Sequence, residues 1–336
     1  MKQALFQQQK ADQKVLCGLC SHRCLIAEGM RGICSVRENR DGTLYSLVYD
    51  KVIARNIDPI EKKPLFHFLP GSTSFSIATP GCNFRCLHCQ NADISQLPRD
   101  RGGLIVGENI PPSTVVSDAR SYGCASISYT YTEPTIYFEY AYDAAQLAAE
   151  RGIKNVFVTN GYITPEALET ISPVLHAANI DLKGFSEEFY RKVCGAKLQP
   201  VLDAIKLYKK LGIWIEITTL VIPGHNDSEA ELRRIAEFIR SVGPEIPWHV
   251  SRFHPTYKLL DYPMTPVATL QRARAIGIEA GLRYVYEGNV PGVGEDTICW
   301  NCKKTIIRRI GFAVQENRVR KGTCGYCNAA IDGVWA

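Results

Sequence analysis

The chain has 336 residues, 46% of them hydrophobic and 22% charged, with a formal net charge of +5, a balance that allows a full core and is ordinary for a soluble protein. No apolar run approaches the ~20 residues of a membrane span, and the N-terminal residues lack the apolar core of a signal peptide, so a cytoplasmic protein is expected. Thirteen cysteines in such a chain argue for metal or redox chemistry over disulfides.

Residues 1–70 form a Cys-rich N-terminal extension. They carry Cys17, Cys20, Cys24 and Cys34, with His22 nearby and a Gly29 to Gly32 turn that would bring Cys34 back to the others. Four thiolates here suit a second zinc ion, although the spacing is not that of a standard zinc finger. A strand-like stretch follows at 43–53.

From about residue 71 to 290, β-branched and aromatic runs alternate with helical stretches, the mark of βαβ units around a parallel sheet. Strands are predicted at 75–79, 125–130, 155–159, 179–183, 213–221, 249–253 and 283–286. Helices are predicted at 139–151, 165–176, 200–211, 229–242 and 267–280, several stopped by a glycine, as at Gly152, Gly212 and Gly281. Six or seven such units are too few to close an eight-stranded barrel, so the expected fold class is α/β, an open, partial TIM-type barrel. Its chemistry should collect at the carboxyl ends of the strands.

Directly after the first strand stands Cys82-Asn-Phe-Arg-Cys86-Leu-His-Cys89. Three thiolates suit a [4Fe–4S] cluster that leaves one iron without a protein ligand, since such clusters are normally held by four cysteines. A zinc site is the alternative, with His88 as the nearby fourth candidate. Strand ends further on are polar: Thr132-Glu133-Pro134, Thr159-Asn160-Gly161 and Asp181-Leu-Lys183. Each is also readable as a turn or cap. The sixth strand ends near Arg252, His254 and Tyr257, which could hold an anionic substrate or manage a proton, or be structural. Cys194 is either a hydrogen-atom relay or a small buried hydrophobe.

The last segment, 291–336, pairs Cys299 and Cys302 with Cys324 and Cys327 in C-x2-C-x21-C-x2-C spacing. That is close to a zinc ribbon. An auxiliary iron–sulfur cluster is the rival at both outer groups. The basic runs near Lys303 to Arg309 and Arg318 to Lys321 read as a solvated face, so nucleic acid is not expected.

The cysteine loop and the motifs that follow it in order resemble the radical S-adenosylmethionine (SAM) superfamily, in particular the pyruvate formate-lyase activating enzyme group. The resemblance implies the partial-barrel fold, and a [4Fe–4S] cluster whose open iron chelates the amino and carboxylate groups of SAM. It also implies reductive cleavage of SAM to a 5′-deoxyadenosyl radical and hydrogen-atom abstraction from a substrate. By the same resemblance Thr132 and Glu133 meet the methionine amino group, and Thr159, Asn160, Asp181 and Lys183 contact the ribose and methionine parts. The segment from Leu220 to Asp227 would flank the adenine, and His88 stands where the superfamily usually carries an aromatic ring.

The N-terminal cysteine motif, Ile60 to Pro70, Cys89-Gln-Asn91 and Ile331-Asp-Gly-Val-Trp335 are similar to the radical SAM protein of the AmmeMemoRadiSam system. That resemblance implies Memo-like and AMMECR-type partner proteins beside a small flavodoxin- or ferredoxin-like electron donor. The chain lacks the eight-cysteine ferredoxin insert of many glycyl radical activases. Three outcomes therefore stand open: activation of a partner protein, modification of a small molecule or RNA base, or a non-catalytic iron–sulfur and zinc scaffold.

Overall fold

The computed structural model describes every residue except Pro291, Val293 and Ala336. Its centre is an eight-stranded sheet built from β1 (Ala54–Pro59), β2 (Thr73–Ala78), β3 (Ser126–Tyr129), β4 (Lys154–Thr159), β5 (Ala177–Asp181), β6 (Trp214–Val221), β7 (Trp248–Arg252) and β8 (Val285–Gly288). The strands lie side by side in chain order. Strands β2 to β8 run parallel, and β1 pairs antiparallel with β2. Strands β1 and β8 each have one neighbour, so the sheet curls without closing.

The predicted strands fall where the buried runs lie because a parallel sheet is covered on both faces. In β6 only Trp214 and Leu220 are partly exposed. The crossover helices bury one stripe each. In α5 (Glu229–Val242; α1 to α4 are Pro112–Ser121, Phe138–Ala149, Pro165–Ile171 and Leu198–Lys210), Leu232, Ile235, Ala236 and Ile239 face the core at helical spacing. The predicted helix at 165–176 is shorter than expected, ending at Ile171 and passing into a 3-10 turn at Ser172–Val174. Pro173 removes the amide that would continue it.

The stretch expected as one strand at 43–53 is broken into Thr43–Ser46 and Lys51–Val52. Strand β1, within the N-terminal 70 residues, belongs to the central sheet. The rest of that segment forms small antiparallel sheets anchored by Arg37, whose guanidinium donates to both oxygens of Glu139 on α2 at 2.7 and 3.1 Å, with both side chains buried. The C-terminal segment is a three-stranded antiparallel sheet of Thr297–Ile298, Thr305–Ile310 and Ala313–Asn317 next to its cysteines; Pro291 and Val293, at its expected start, lie outside the described residues. Among the described residues no helix is long and apolar enough to cross a membrane.

Candidate active site

The carboxyl ends of the parallel strands surround a cavity of about 530 Å³. The loop bearing Cys82, Cys86 and Cys89 leaves β2 through Thr79-Pro80-Gly81. Gly81 has φ +109°, and a Cβ there would stand 2.7 Å from Cγ1 of Val36, so only glycine fits. All three cysteines line the cavity. The amide of Phe84 donates to Cys82 Sγ at 3.3 Å, and Ser95 Oγ lies 3.0 Å from Cys89 Sγ. Behind them a π-turn at Tyr190–Cys194 holds the loop, with the amides of Arg85 and Leu87 donating to the carbonyls of Cys194 and Val193.

Burial pushes the Cys82 thiol well above the ordinary range, and the neighbouring Glu133 carboxylate adds to it. A thiolate at that place needs a bound cation beside it. The donor set thus fits a metal cluster. His88 is also buried in the cavity wall, and neither of its ring nitrogens has a protein partner. Burial lowers its pKa to about 3, so the ring is neutral and free to bond a ligand.

Every SAM-contact candidate from the sequence lines this cavity. Their hydrogen bonds divide them into two kinds. Thr132 is committed to the scaffold, its hydroxyl donating to the Thr79 carbonyl at 2.7 Å. Glu133 Oε1 accepts from the Thr135 amide and hydroxyl and from Thr159 Oγ1, while Oε2 accepts from the Asn160 amide at 2.8 Å. It thereby ties the ends of β3 and β4 together. Asn160 Nδ2 donates to Asn83 Oδ1 at 2.7 Å and lies 3.8 Å from Cys82 Sγ. Asp181 and Lys183 form a 3.0 Å ion pair at the end of β5 and remain partly exposed to the cavity.

Arg252, His254 and Tyr257 are not brought together in the cavity, contrary to the expectation for a substrate site. Side chains alternate along a strand, so β7 presents His249 and Ser251 inward and Arg252 the other way, where its Nε donates to the Thr265 carbonyl. His254 is exposed, and Tyr257 bonds Asp100 beside a separate outer depression. The period-two pattern of Trp248–Arg252 held the signal for His249 and Ser251. Two further wall residues went unread, Glu61 and Glu287, each buried with an unpaired Oε2. Cys194 is fully buried behind Cys86 and is not part of the cavity wall.

At the other end of the chain Cys299 and Cys327 sulfurs lie 3.8 Å apart, as do those of Cys302 and Cys324. All four lie within 4.8 Å of one another. Cys17, Cys20, Cys24 and Cys34 surround a separate, largely apolar void.

A three-cysteine loop at the carboxyl end of an open parallel sheet, facing a cavity rimmed by polar strand ends, defines a radical SAM domain, and the superfamily model matches residues 76–238. The chain belongs to the radical SAM superfamily, whose members bind a [4Fe–4S] cluster and SAM, and it is homologous to pyruvate formate-lyase activating enzymes. It is 50% identical over 336 residues, 99% of either chain, to the uncharacterized protein MJ0808 of Methanocaldococcus jannaschii. It is 22% identical over 171 residues to the pyruvate formate-lyase 1-activating enzyme of Escherichia coli, a match that spans 48% of this chain and 67% of that enzyme. The crystal structure of Streptococcus suis SuiB bound to precursor peptide SuiA shares the fold, with a TM-score of 0.51 at 17% identity over 68% of this chain and 51% of that one.

Proposed function

We propose that this chain is a radical SAM enzyme that abstracts a hydrogen atom from a polar substrate bound in the central cavity. The observation that carries the reading is the convergence of Cys82, Cys86 and Cys89 with the polar ends of β3, β4 and β5 on one cavity. The three cysteines would hold the [4Fe–4S] cluster. When bound, it supplies the electron that cleaves SAM to methionine and a 5′-deoxyadenosyl radical. Asn160, Asp181, Lys183 and His88 are the side chains with capacity left to bind SAM. Glu133, Thr132 and Thr159 fix the strand ends that present them. On the far wall the unpaired carboxyl oxygens of Glu61 and Glu287 call for a hydrogen-bonding group on the substrate, since a buried polar atom left unpaired is costly.

Gly311 and Phe312, at the tip of the C-terminal hairpin, contribute to the same wall. That overhang supports a small molecule or a slender peptide segment as the substrate, rather than a folded protein face. A peptide segment keeps the activase-like reading available. The four C-terminal cysteines are assigned to structural zinc on their spacing. The sequence resemblance supports Memo-like and AMMECR-type proteins as partners and a flavodoxin- or ferredoxin-like reductant.

Anaerobically reconstituted protein given dithionite and SAM should release 5′-deoxyadenosine. Changing Cys86 to Ala should remove both the loop cluster and that product, because the residue supplies a direct iron ligand. SAM cleavage by the Cys86→Ala protein would overturn the assignment.

A further inference from the structure

We infer that Cys17, Cys20, Cys24 and Cys34 hold a second [4Fe–4S] cluster, rather than the zinc ion that four thiolates alone would suit. The molecule supplies its own scale for the comparison. A tetrahedral zinc with Zn–S bonds of about 2.3 Å sets its sulfurs about 3.8 Å apart, and the C-terminal cysteines stand in pairs at 3.8 Å. Among the described residues they form the only set of three or more Cys, His, Asp or Glu ligand atoms that all lie within 4.8 Å of one another.

The N-terminal four do not meet that limit, and neither do Cys82, Cys86 and Cys89. The second half of this comparison rests on the proposed loop cluster. Thiolates bound to separate irons at the corners of a cubic core must stand further apart than thiolates sharing one ion. The N-terminal sulfurs accordingly ring a small void, about 10 Å³ on the scale that gives the central cavity 530 Å³, so the four thiolates stand around a gap rather than in mutual contact.

The lining of that void suits such a cluster. Apolar walls come from Leu19, Ile26, Ile33 and Ile136. His22 is tied to the cysteine loop through Nε2, which donates to the Asn83 carbonyl at 2.8 Å. Arg37 is 2% exposed and lines the void, and its Nε is the one guanidinium nitrogen without a partner. Because its charge is already paired with Glu139, what it offers a cluster is that one buried N–H. At Gly32 bare main chain faces the site, for a Cβ would stand 3.6 Å from Cys24 Sγ.

The site packs on the loop that bears Cys82, Cys86 and Cys89 and on the turn after β4. The Ser21 amide donates to the Tyr162 carbonyl, and Arg99 donates to the carbonyls of both Ile33 and Phe84.

Iron, sulfide and zinc should be counted in the anaerobically reconstituted wild-type and Cys82/Cys86/Cys89→Ala proteins, with Mössbauer spectra of both. The expected result is about eight irons per chain in the wild type, about four in the triple variant with [4Fe–4S] signals retained, and about one zinc in each. A triple variant with no iron and about two zinc ions would overturn the inference. Equal iron of about four in both proteins would leave the N-terminal cluster supported and the loop cluster refuted. Adding Cys20→Ala and Cys24→Ala to the triple variant should then remove the remaining iron but not the C-terminal zinc. Iron retained in that protein would also overturn the assignment.

Discussion

The carboxylate of Glu133 accepts hydrogen bonds from Thr135, Thr159 and Asn160 at once, and it is 2% exposed. From the sequence this residue reads either as a cofactor ligand or as a cap on the turn before Pro134. The residue that caps the 3-10 turn Pro134–Tyr137 also lines the cavity, and its bonds make it the support of the groups that face the cofactor. In Glu133→Gln, Oε1 can still accept, but an NH2 group would face the Asn160 amide, donor against donor. Losing that bond while leaving the buried amide unpaired should cost about 1–3 kcal/mol of stability. Asn160 in turn bonds Asn83 beside Cys82, so the shift reaches the cofactor side. SAM affinity should fall roughly tenfold or more, since 1.4 kcal/mol is a factor of ten, with loop iron unchanged. Denaturant unfolding and SAM titration check the two parts. Normal stability sinks the role as a tie between strands, and normal SAM affinity sinks the coupling to the cofactor.

Strand ends were legible in the sequence because a strand covered on both faces is a continuous apolar run, and the point where it turns polar marks the rim of the sheet. That is why Thr132, Glu133, Thr159, Asn160, Asp181 and Lys183 could be placed on the cavity. The inward or outward sense of a side chain past a strand's last residue was not legible, and His254 and Tyr257 were misplaced for that reason, whereas the alternation along Trp248–Arg252 already turned Arg252 away from the cavity. Strand β1 escaped notice because Ala-Arg-Asn-Ile-Asp-Pro has a single buried residue, as an edge strand allows. The rim turn after β4 carries its own constraint. Gly161 has φ +71°, and a Cβ there would lie 2.9 Å from Ile180 Cγ2 and 3.3 Å from Val201 Cγ1. Gly161→Ala therefore meets both backbone strain and a clash with β5, and should destabilise the protein by about 1–3 kcal/mol. Because Asn160 is the preceding residue, SAM binding should weaken with it. An unchanged denaturation midpoint would show that the turn accepts a side chain.

Contacts that hold the three segments together join residues hundreds of positions apart, which no local pattern announces. His67, from the N-terminal segment, is the junction. Its Nε2 meets the Tyr286 hydroxyl and its Nδ1 the Asp332 carbonyl, both at 2.6 Å, while its amide donates to Glu216 Oε1 at 2.7 Å. Glu216 also takes His249 and the Phe66 amide, and Arg309 donates to the Phe66 carbonyl. Burial lowers the pKa of His67 to about 4, against about 6.5 in the unfolded chain, so the folded protein keeps the ring neutral. Above pH 6.5 neither state binds a proton there and the group adds no pH dependence. Between pH 6.5 and 4 only the unfolded chain takes one up, so the stability from this residue falls as the pH falls, by about 2 kcal/mol at pH 5. A glutamine cannot titrate. His67→Gln should be less stable than the wild type at pH 7.5, through its lost bonds to Tyr286 and Asp332, and that deficit should shrink by about 2 kcal/mol at pH 5. Unfolding both proteins in urea at the two pH values reads the difference directly, since effects of acid on the metal sites are common to both. A deficit that stays constant would mean that His67 is protonated in the fold or that the junction opens in acid.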